Sequence, residues 1–506
     1  MPFYVKLASL FPSITEPEKR LTLKEKLKWT AIVLVLFYAM GCVFIYGIEP
    51  TRLPELAFYE IIFGSRIGSI ITLGIGPIVM ASIVLQMLVG SKLLAWDLRK
   101  EEDKIKYNAA QKLLTIFFCF FEATTYALGF VRPISPDLFP IVVLQMVLGG
   151  IIIMYLDELT TKWGIGSGVS LFIAAGVSKR IIMGIFLPQL EVAGRTVAGV
   201  LFSFFKYFFT GDLWSSLFAL LPLISTLLVF AVVIFAQGIR VEIPISFSFA
   251  FGRIPARKWP LRFLYTSNIP VILAVALLNS LTLFARLLYE KGIKWLGVFD
   301  TQGHAVGGLI YYLSPPRDMT LAFCIIFSLA LGLLLGLFVL KKYKKYGFRT
   351  TIIGSIVGFL IGYLILVLNQ QNIPYPLFGF NELFRAFTYM IALGILSMVF
   401  STFWVITAGM DPKSVAEQFK SSYLSIPGFR RDPRVIERLL EKYIPPLAVL
   451  GGLFVGLLAG VANLTEALGT GTGILLTAII ILQFYESLMM QHLEDIHPAI
   501  RNFIGR

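Results

Sequence analysis

The sequence has little of what soluble enzymes and metalloproteins carry. Only 15% of its 506 residues are charged, and it holds three cysteines and three histidines. The cysteines, Cys42, Cys119 and Cys324, lie in apolar stretches at spacings that suit neither a disulfide framework nor a zinc site. The histidines lie outside the apolar runs, so no metal is expected.

Signatures of catalysis and of energy coupling are also missing. The apolar stretches contain no paired acids, no nucleophile beside a base and no cluster of metal ligands. The chain also lacks a Gly-Lys loop of the kind that binds ATP. These absences argue against an enzyme, and no cofactor is expected. If the protein moves a substrate, we expect the energy to come from a partner.

Apolar residues are what the chain has in excess. They make up 57% of the sequence, and the mean hydropathy is +0.80, far above that of soluble proteins. The apolar runs approach about 20 residues, the length that crosses a bilayer as a helix. The sequence therefore predicts an all-α, polytopic membrane helix bundle.

Twelve candidate spans follow from these runs. They cover residues 29–48, 74–90, 110–130, 138–156, 168–187, 219–238, 266–288, 319–340, 351–368, 386–408, 444–464 and 472–491. With the N-terminus inside, lysine and arginine favour the inner connecting segments by about four to one. This asymmetry predicts cytoplasmic termini. The polar first 28 residues indicate no cleaved signal peptide, and Leu21–Trp29 reads as a short amphipathic helix on the inner membrane face.

The second span is interrupted at its start. The stretch "RIGSIITLGIGPIV" carries Gly74, Gly76 and Pro77 where a helix would otherwise continue, and residues 49–73 are too polar to span lipid. Irregular backbone at membrane depth is tolerated only when it is buried in protein or lines an aqueous cavity. From physics alone, the aliphatic residues after the break are either ordinary packing or a hydrophobic constriction.

Two helix starts resemble each other. "GIGSGVSLFIAAG" opens the fifth span and "GTGTGILLTAI" opens the last, at opposite membrane faces in the predicted topology. This pattern is typical of an inverted repeat, in which two halves are related by an axis in the membrane plane. Secondary transporters of small solutes also use inverted repeats and broken helices, so a transporter is the alternative reading. The apolar residues around Pro77 make a solute site there less favourable.

Seven motifs, in order along the chain, together resemble one family. They are "ITLGIGPIVMASIVLQMLVGSKLL", "LDELTTKWGIGSGVSLFIAAGVS", "LRFLYTSNIPVILAVALL", "GMDPKSVAEQF", "IPGFRR", "KYIPPLAVLGG" and "GTGTGILLTAIIILQFYE". The sequence is similar to the SecY family, the central subunits of the Sec protein-conducting channel, and most similar to its archaeal members. The resemblance implies a passive pore that translocates unfolded secretory polypeptides and releases transmembrane segments laterally into lipid.

The family's architecture implies a division of the chain. A cytosolic segment 1–28 would precede an N-terminal half, 29–190, that includes a plug at 56–70. An external connector, 191–218, would lead to a C-terminal half, 219–491, and a cytosolic tail, 492–506, would follow. Each half would hold five core spans related by a pseudo-twofold axis. The apolar pair within 319–368 is additional to that core, and its role is not implied.

The resemblance also implies functional residues. The apolar pore ring falls on Ile75, Val79, Val169, Ile173, Ile272 and Leu476. The plug that stops the pore falls on Leu56, Phe58, Ile61, Ile62, Arg66, Ile67 and Ile70. The polar cluster of the lateral gate falls on Gln86, Glu122, Asn279 and Ser280. The loops that dock the ribosome contain Arg253, Arg257, Lys258, Arg430 and Arg431.

The expected partners follow from the same resemblance. They are SecE (the gamma subunit) and a small beta subunit in a heterotrimer, the ribosome, signal sequences, nascent polypeptides and membrane lipids. No small-molecule cofactor is implied. The expected location is the plasma membrane, crossed many times, with both termini cytoplasmic.

Overall fold

The computed structural model describes most of the chain. The residues outside the description are 1–2, 9, 20, 49–67, 91–92, 97–99, 130, 132, 189, 193–194, 248–256, 267–268, 291, 301–304, 317, 343–346, 422–423, 426–432, 470 and 497–506. Every structural statement below refers to the remaining residues.

Helices dominate the described residues. They are α1 (Phe3–Ala8), α2 (Leu23–Met40), α3 (Gly76–Gly90), α4 (Glu101–Gly129), α5 (Phe139–Trp163), α6 (Gly168–Phe186), α7 (Val200–Phe209), α8 (Leu213–Gly238), α9 (Ile269–Glu290), α10 (Leu309–Leu313), α11 (Met319–Lys342), α12 (Gly347–Leu368), α13 (Phe380–Thr407), α14 (Pro412–Ser421), α15 (Pro433–Glu441), α16 (Ile444–Leu464) and α17 (Gly471–Ile496). Short 3-10 turns cover Pro136–Leu138 and Gln370–Asn372.

The strands are short and lie between helices. They are β1 (Leu190–Val192), β2 (Arg195–Val197), β3 (Arg240–Phe247), β4 (Arg257–Arg262), β5 (Val298–Phe299), β6 (Ala305–Gly307) and β7 (Leu424–Ser425). β1 pairs with β2, β5 pairs with β6, and the order of the remaining sheet is β4-β3-β7. All of these pairs are antiparallel.

Each of the predicted spans coincides with a helix. Among the described residues, eight helices are long and apolar enough to cross a membrane. The other predicted spans fall on α2, α3, α4 and α9, which are shorter, more polar at one end or only partly described. The all-α class is thus confirmed.

The first span differs from its prediction at both ends. The predicted amphipathic segment and the span form one continuous helix, α2, which begins with a capping box between Thr22 and Glu25. The Glu25 carboxylate accepts from the Thr22 main-chain N–H at 2.8 Å, and this bond lowers the pKa of that carboxyl. The helix ends at Met40, and residues 41–48 are irregular because they pair with other segments rather than with the helix.

An extended strap, residues 10–15, ties the N-terminal segment to α4 and α5. Glu158 accepts from the Ile14 main-chain N–H at 3.2 Å and pairs with Lys162 at 2.8 Å. Lys162 also donates to the Ile14 carbonyl, and Lys112 of α4 donates to the carbonyl of Pro12. The strap therefore depends on side chains of two helices rather than on pairing with another strand.

The chain divides into two compact units. Unit 1 comprises Met1–Ser178, Val405–Val415 and Leu476–Arg506, and unit 2 comprises Lys179–Trp404 and Ala416–Leu475. The core of unit 1 lies between α4 and α5, and its fully buried members include Cys119, Ala123, Val142 and Met146. In unit 2, glycines of α16 pack against Ser397 and Ser401 of α13.

The additional helical pair forms a tight hairpin in unit 2. Small residues line its seam, since Gly332 and Gly336 of α11 face Ser355 and Thr351 of α12. Such small residues allow close approach of two helix backbones in a membrane. At the end of the hairpin, Phe323 packs edge-on against Trp214 and at a tilt against Phe218, both near the start of α8.

Candidate channel residues

The interruption before α3 is a buried turn whose backbone groups are hydrogen-bonded within the turn itself. Residues 71–78 are all buried. Gly74 adopts a left-handed conformation (φ 55°), and its N–H donates to the Ile71 carbonyl at 3.0 Å. The Gly76 N–H donates to the Leu73 carbonyl at 3.2 Å, and the Thr72 hydroxyl donates to Ser69 at 2.6 Å. Irregular backbone is tolerated here because the protein surrounds it and supplies its hydrogen bonds.

Glycines in α5 make room for this turn. A Cβ on Gly149 would overlap the main-chain carbonyl of Ile70, and one on Gly150 would lie 2.7 Å from the Cys119 sulfur. Only glycine lets the segment approach α5 so closely. The sequence showed a Gly-Gly pair inside this span, which is the signal that could have predicted the contact.

The chain leading into the turn pairs with residues 43–45. Phe44 bridges Ser69, the Ile45 N–H donates to the Gly68 carbonyl at 2.9 Å, and the Ile70 N–H donates to Val43 at 2.9 Å. These bonds fix the point where the predicted plug would join the membrane helices. Of the predicted plug residues, only Ile70 is described. The others, Leu56, Phe58, Ile61, Ile62, Arg66 and Ile67, lie outside the described residues.

Most of the predicted ring residues belong to unit 1. Ile75, Ile173 and Leu476 are buried there, and Val79 and Val169 are half-buried. Ile272, on α9, is half-buried in unit 2. Each described ring residue lies on a helix, or one residue before it in the case of Ile75.

Polar side chains cap the starts of the two Gly-rich helices, α6 and α17. The sequence analysis did not predict these caps. Asp157, at the end of α5, accepts from the Val169 N–H at 2.8 Å and so caps α6. Asn463 likewise accepts from the Gly471 N–H at 2.8 Å at the start of α17, and its amide donates to the Tyr389 hydroxyl at 2.8 Å. A helix start leaves N–H groups without intrahelical partners. Asp157 accepts from the Gly168 N–H as well as from Val169, and Asn463 accepts from the Gly471 N–H.

Two members of the predicted gate cluster, Glu122 and Gln86, have described contacts in unit 1. A Cβ on Gly76 would lie 2.8 Å from Glu122 Oε2, so this carboxyl lies against the start of α3. Gln86 instead bonds the side chain of Tyr107. Ten residues of helix, about 15 Å, separate Gly76 from Gln86. Gln86 and Glu122 therefore have different described neighbours, and their assignment to one gate cluster stays a prediction.

The other predicted gate residues lie in unit 2. Asn279 and Ser280 fall within α9, but their side chains lie outside the description. Glu122 and Gln86 are therefore the predicted gate residues whose side chains the structure describes.

The two long basic loops meet in one sheet. Arg257 and Lys258 begin β4, which pairs with β3 along its whole length, and the end of β3 pairs with β7 through Ser246 and Ser425. Trp259 also packs edge-on against Phe419 of α14, with ring centroids 4.8 Å apart. Arg253, Arg430 and Arg431 lie outside the described residues. The sequence predicted two separate loops and gave no sign of their pairing, because β7 has two residues.

Comparison with known proteins decides the family. The sequence profile of the SecY family matches residues 69–485. The chain belongs to the SecY family. It is 39% identical over 503 residues to the protein translocase subunit SecY of Methanothermobacter thermautotrophicus, covering 99% of this chain and 98% of that one.

Solved SecY-family structures share the fold. One, described as showing that the SecY plug domain stabilises the closed state of the translocation channel and maintains a membrane seal, is 38% identical with a TM-score of 0.67 and covers 98% of this chain and 99% of its own. Another, Sec61 in the canine ribosome-channel complex from the endoplasmic reticulum, is 37% identical with a TM-score of 0.66 and the same coverage. The chain is therefore a multi-pass membrane protein and a protein translocase subunit, and the small-solute transporter reading is not supported.

Proposed function

We propose that this chain forms the passive pore of a protein-conducting channel for unfolded secretory polypeptides. The observation that carries this proposal is the broken helix start at residues 71–78, which lies inside the protein and directly precedes an apolar helix. A backbone break is tolerated at membrane depth where protein surrounds it or where the break itself lines an aqueous pathway. The family relationship supports the pathway reading.

Within the pore, Ile75, Val79, Val169, Ile173, Ile272 and Leu476 form the constriction. Aliphatic side chains contact a passing chain without hydrogen-bonding to it, so the constriction is indifferent to sequence. When no chain is present, a narrow apolar ring excludes water and ions by dewetting. The caps from Asp157 and Asn463 support this role, because they fix where α6 and α17 begin and therefore where Val169 and Leu476 lie along them.

The segment 56–70 acts as the plug, and residues 43–45 hold its return to the membrane helices. The main-chain bonds from Ile45 to Gly68 and from Ile70 to Val43 support a fixed base. A plug that leaves the pore must then turn about this base rather than pull out of it. This assignment rests on residues 68–70 and on the relatives' plug domain.

Lateral exit requires a seam between helices of the two halves. We assign one side of the seam to α3 and α4, and the other to α9 and α13. Glu122 contributes from α4, Asn279 and Ser280 contribute from α9, and Gln86 lies farther along α3. An ionisable group inside an apolar run is costly and therefore points to function.

The β4-β3-β7 sheet supports ribosome docking through Arg253, Arg257, Lys258, Arg430 and Arg431. The sheet joins the described stems of both loops, which supports one shared docking platform. Clustered lysine and arginine bind the phosphates of RNA, and that binding weakens as salt increases. The canine relative is a channel bound to a ribosome, which supports the same partner here.

The remaining partners and the location follow from the family. SecE and a small beta subunit complete a heterotrimer in the plasma membrane, with both termini of this chain in the cytoplasm. The excess of lysine and arginine in the inner segments supports that orientation. The chain supplies no energy itself, so a partner such as the ribosome drives translocation.

Site-specific crosslinking tests the pore. A stalled secretory chain should crosslink to cysteines placed at Ile75, Ile272 and Leu476. A cysteine at Leu334, an exposed residue of α11 that faces away from its hairpin partner, is the matched control and should not react. Equal crosslinking at Leu334 and at the ring positions would contradict the assignment.

A further inference from the structure

An exposed aromatic surface covers α7 and the first turn of α8. The side chain of Phe209 is 82% exposed and that of Leu213 is 67% exposed, and Phe202, Phe205 and Phe208 are each about half exposed. Their rings stack along the helix, Phe205 on Phe209 with centroids 6.3 Å apart. A soluble surface rarely presents so many aromatic side chains together.

This surface is held firmly in place. At its beginning, the Gly199 N–H donates to the Leu187 carbonyl at 2.7 Å, and a Cβ on Gly199 would lie 2.6 Å from the Ile185 carbonyl oxygen. At its end, Asp212 caps α8 by accepting from the Ser215 N–H at 3.1 Å. α7 is therefore fixed between the end of α6 and the start of α8, and its aromatic face has a defined direction.

The aromatic surface continues the lipid-facing side of α8. Leu213, Leu217, Ile224 and Leu227 are exposed and follow one another at spacings of three, four or seven residues, which places them on one face. α8 has 26 residues. Its length is about 39 Å at 1.5 Å per residue, against a hydrocarbon core of about 30 Å. The first turns of α8, with α7 beside them, therefore lie near a membrane–water boundary.

The chemistry at the edge of the surface fits that boundary. Lys206 and Tyr207 are exposed on α7 among the phenylalanines, and Thr210 and Asp212 form the turn that follows. Aromatic rings concentrate at the headgroup level, and lysine and tyrosine extend their polar ends toward water there. The aromatic surface is continuous with the lipid-facing stripe of α8, which a binding site for a protein partner would not require. This continuity favours lipid as the occupant.

We propose that α7 is an interfacial helix whose aromatic surface binds the acyl-chain and headgroup boundary of the lipid leaflet at the N-terminal end of α8. In the topology proposed above, this is the outer leaflet. Short helices with one strongly apolar face bind membranes in this way. The binding fixes the depth of the segment that connects the two predicted halves.

Spin labelling in phospholipid vesicles tests the proposal. The exposed Cys42 is first changed to serine, since Cys119 and Cys324 are buried. Nitroxides are then attached through Phe209→Cys and, separately, Phe205→Cys in the full-length protein. Leu227→Cys gives the hydrocarbon reference, and Lys413→Cys, at an exposed position of α14, gives the water reference.

The measured quantity is the ratio of collisions with oxygen, which dissolves in lipid, to collisions with a water-soluble nickel complex. Both α7 labels should give ratios clearly above that of Lys413→Cys and approaching that of Leu227→Cys. A ratio equal to that of Lys413→Cys would place the surface in water and overturn the proposal. Low collision rates with both reagents would show that a protein covers the surface, and would overturn it equally.

Discussion

Removing the carboxylate of Asp157 should destabilise the start of α6 far more than replacing it with an amide. In Asp157→Ala, the Val169 N–H loses its acceptor at 2.8 Å in a part-buried site, and the Gly168 N–H loses the same carboxylate. An unsatisfied buried donor costs about 1–3 kcal/mol, and loss of a helix N-cap typically costs about 1 kcal/mol. Because both figures describe the loss of the same cap, they are not added, and we expect the free energy of unfolding to fall by about 2 kcal/mol.

Asp157→Asn provides the matched comparison. It keeps one oxygen acceptor for the Val169 and Gly168 N–H groups and loses the charge near the helix N-terminus, which is worth about 0.3–1 kcal/mol. Thr161→Ala is the control on the same helix, because Thr161 is exposed and its hydroxyl bonds only the carbonyl one turn earlier among the described contacts. We expect that change to stay within about 0.5 kcal/mol.

The assay is unfolding of the purified protein in mixed micelles by increasing SDS, followed by circular dichroism. Equal losses for Asp157→Ala and Asp157→Asn would refute the capping argument and would instead make the charge the important feature. A loss for Thr161→Ala as large as that for Asp157→Ala would show that the end of α5 tolerates no change at all. Translocation by Asp157→Ala should also fall, because α6 carries Val169 of the proposed ring.

Three further predictions concern contacts that the sequence did not reveal. Glu158→Ala should release the N-terminal strap and increase protease cleavage there, whereas Glu158→Gln should retain one acceptor and give cleavage closer to that of the wild type. Equal cleavage of the two variants would contradict the role of Glu158 in holding the strap. Gly149→Ala should place a Cβ against the Ile70 carbonyl and lower the SDS midpoint, whereas Gly238→Ala, which meets no neighbouring atom within 4 Å, should not. Trp259→Ala should weaken ribosome binding without changing its salt dependence, because it removes a ring contact at 4.8 Å but no charge; a changed salt slope would contradict that reasoning.

The helices could be predicted because hydrophobicity and length decide them. Apolar runs near 20 residues leave the chain no other way to satisfy its backbone in a bilayer, and helix ends such as 444–464 coincide with the prediction. The first span was predicted too long because Cys42–Ile48 is apolar in sequence. These residues pair with Gly68–Ile70 and Pro133 instead, a long-range contact that no local pattern carries.

Site residues could likewise be predicted where the signal is local in sequence, and not where it depends on a long-range contact. The interruption at Gly74–Pro77 is visible in sequence because glycine and proline are local signals. The caps from Asp157 and Asn463 were not predicted, because each reaches across 8 to 12 residues from the preceding helix. The different neighbours of Gln86 and Glu122 were not predicted, because sequence spacing does not give the relative level of two antiparallel helices. The sharing of one sheet by two loops depends on a contact between distant parts of the chain.

The pairing of Ser246 with Ser425 has a consequence for synthesis. A ribosome makes the two residues about 180 positions apart, at roughly 5–20 residues per second. For about 10–35 s after β3 emerges, its far end has no β7 to pair with. The complete platform therefore exists only when most of the chain has already been made. A nascent copy cannot present both loops together, so a partner that needs both recognises finished chains and ignores those still being inserted.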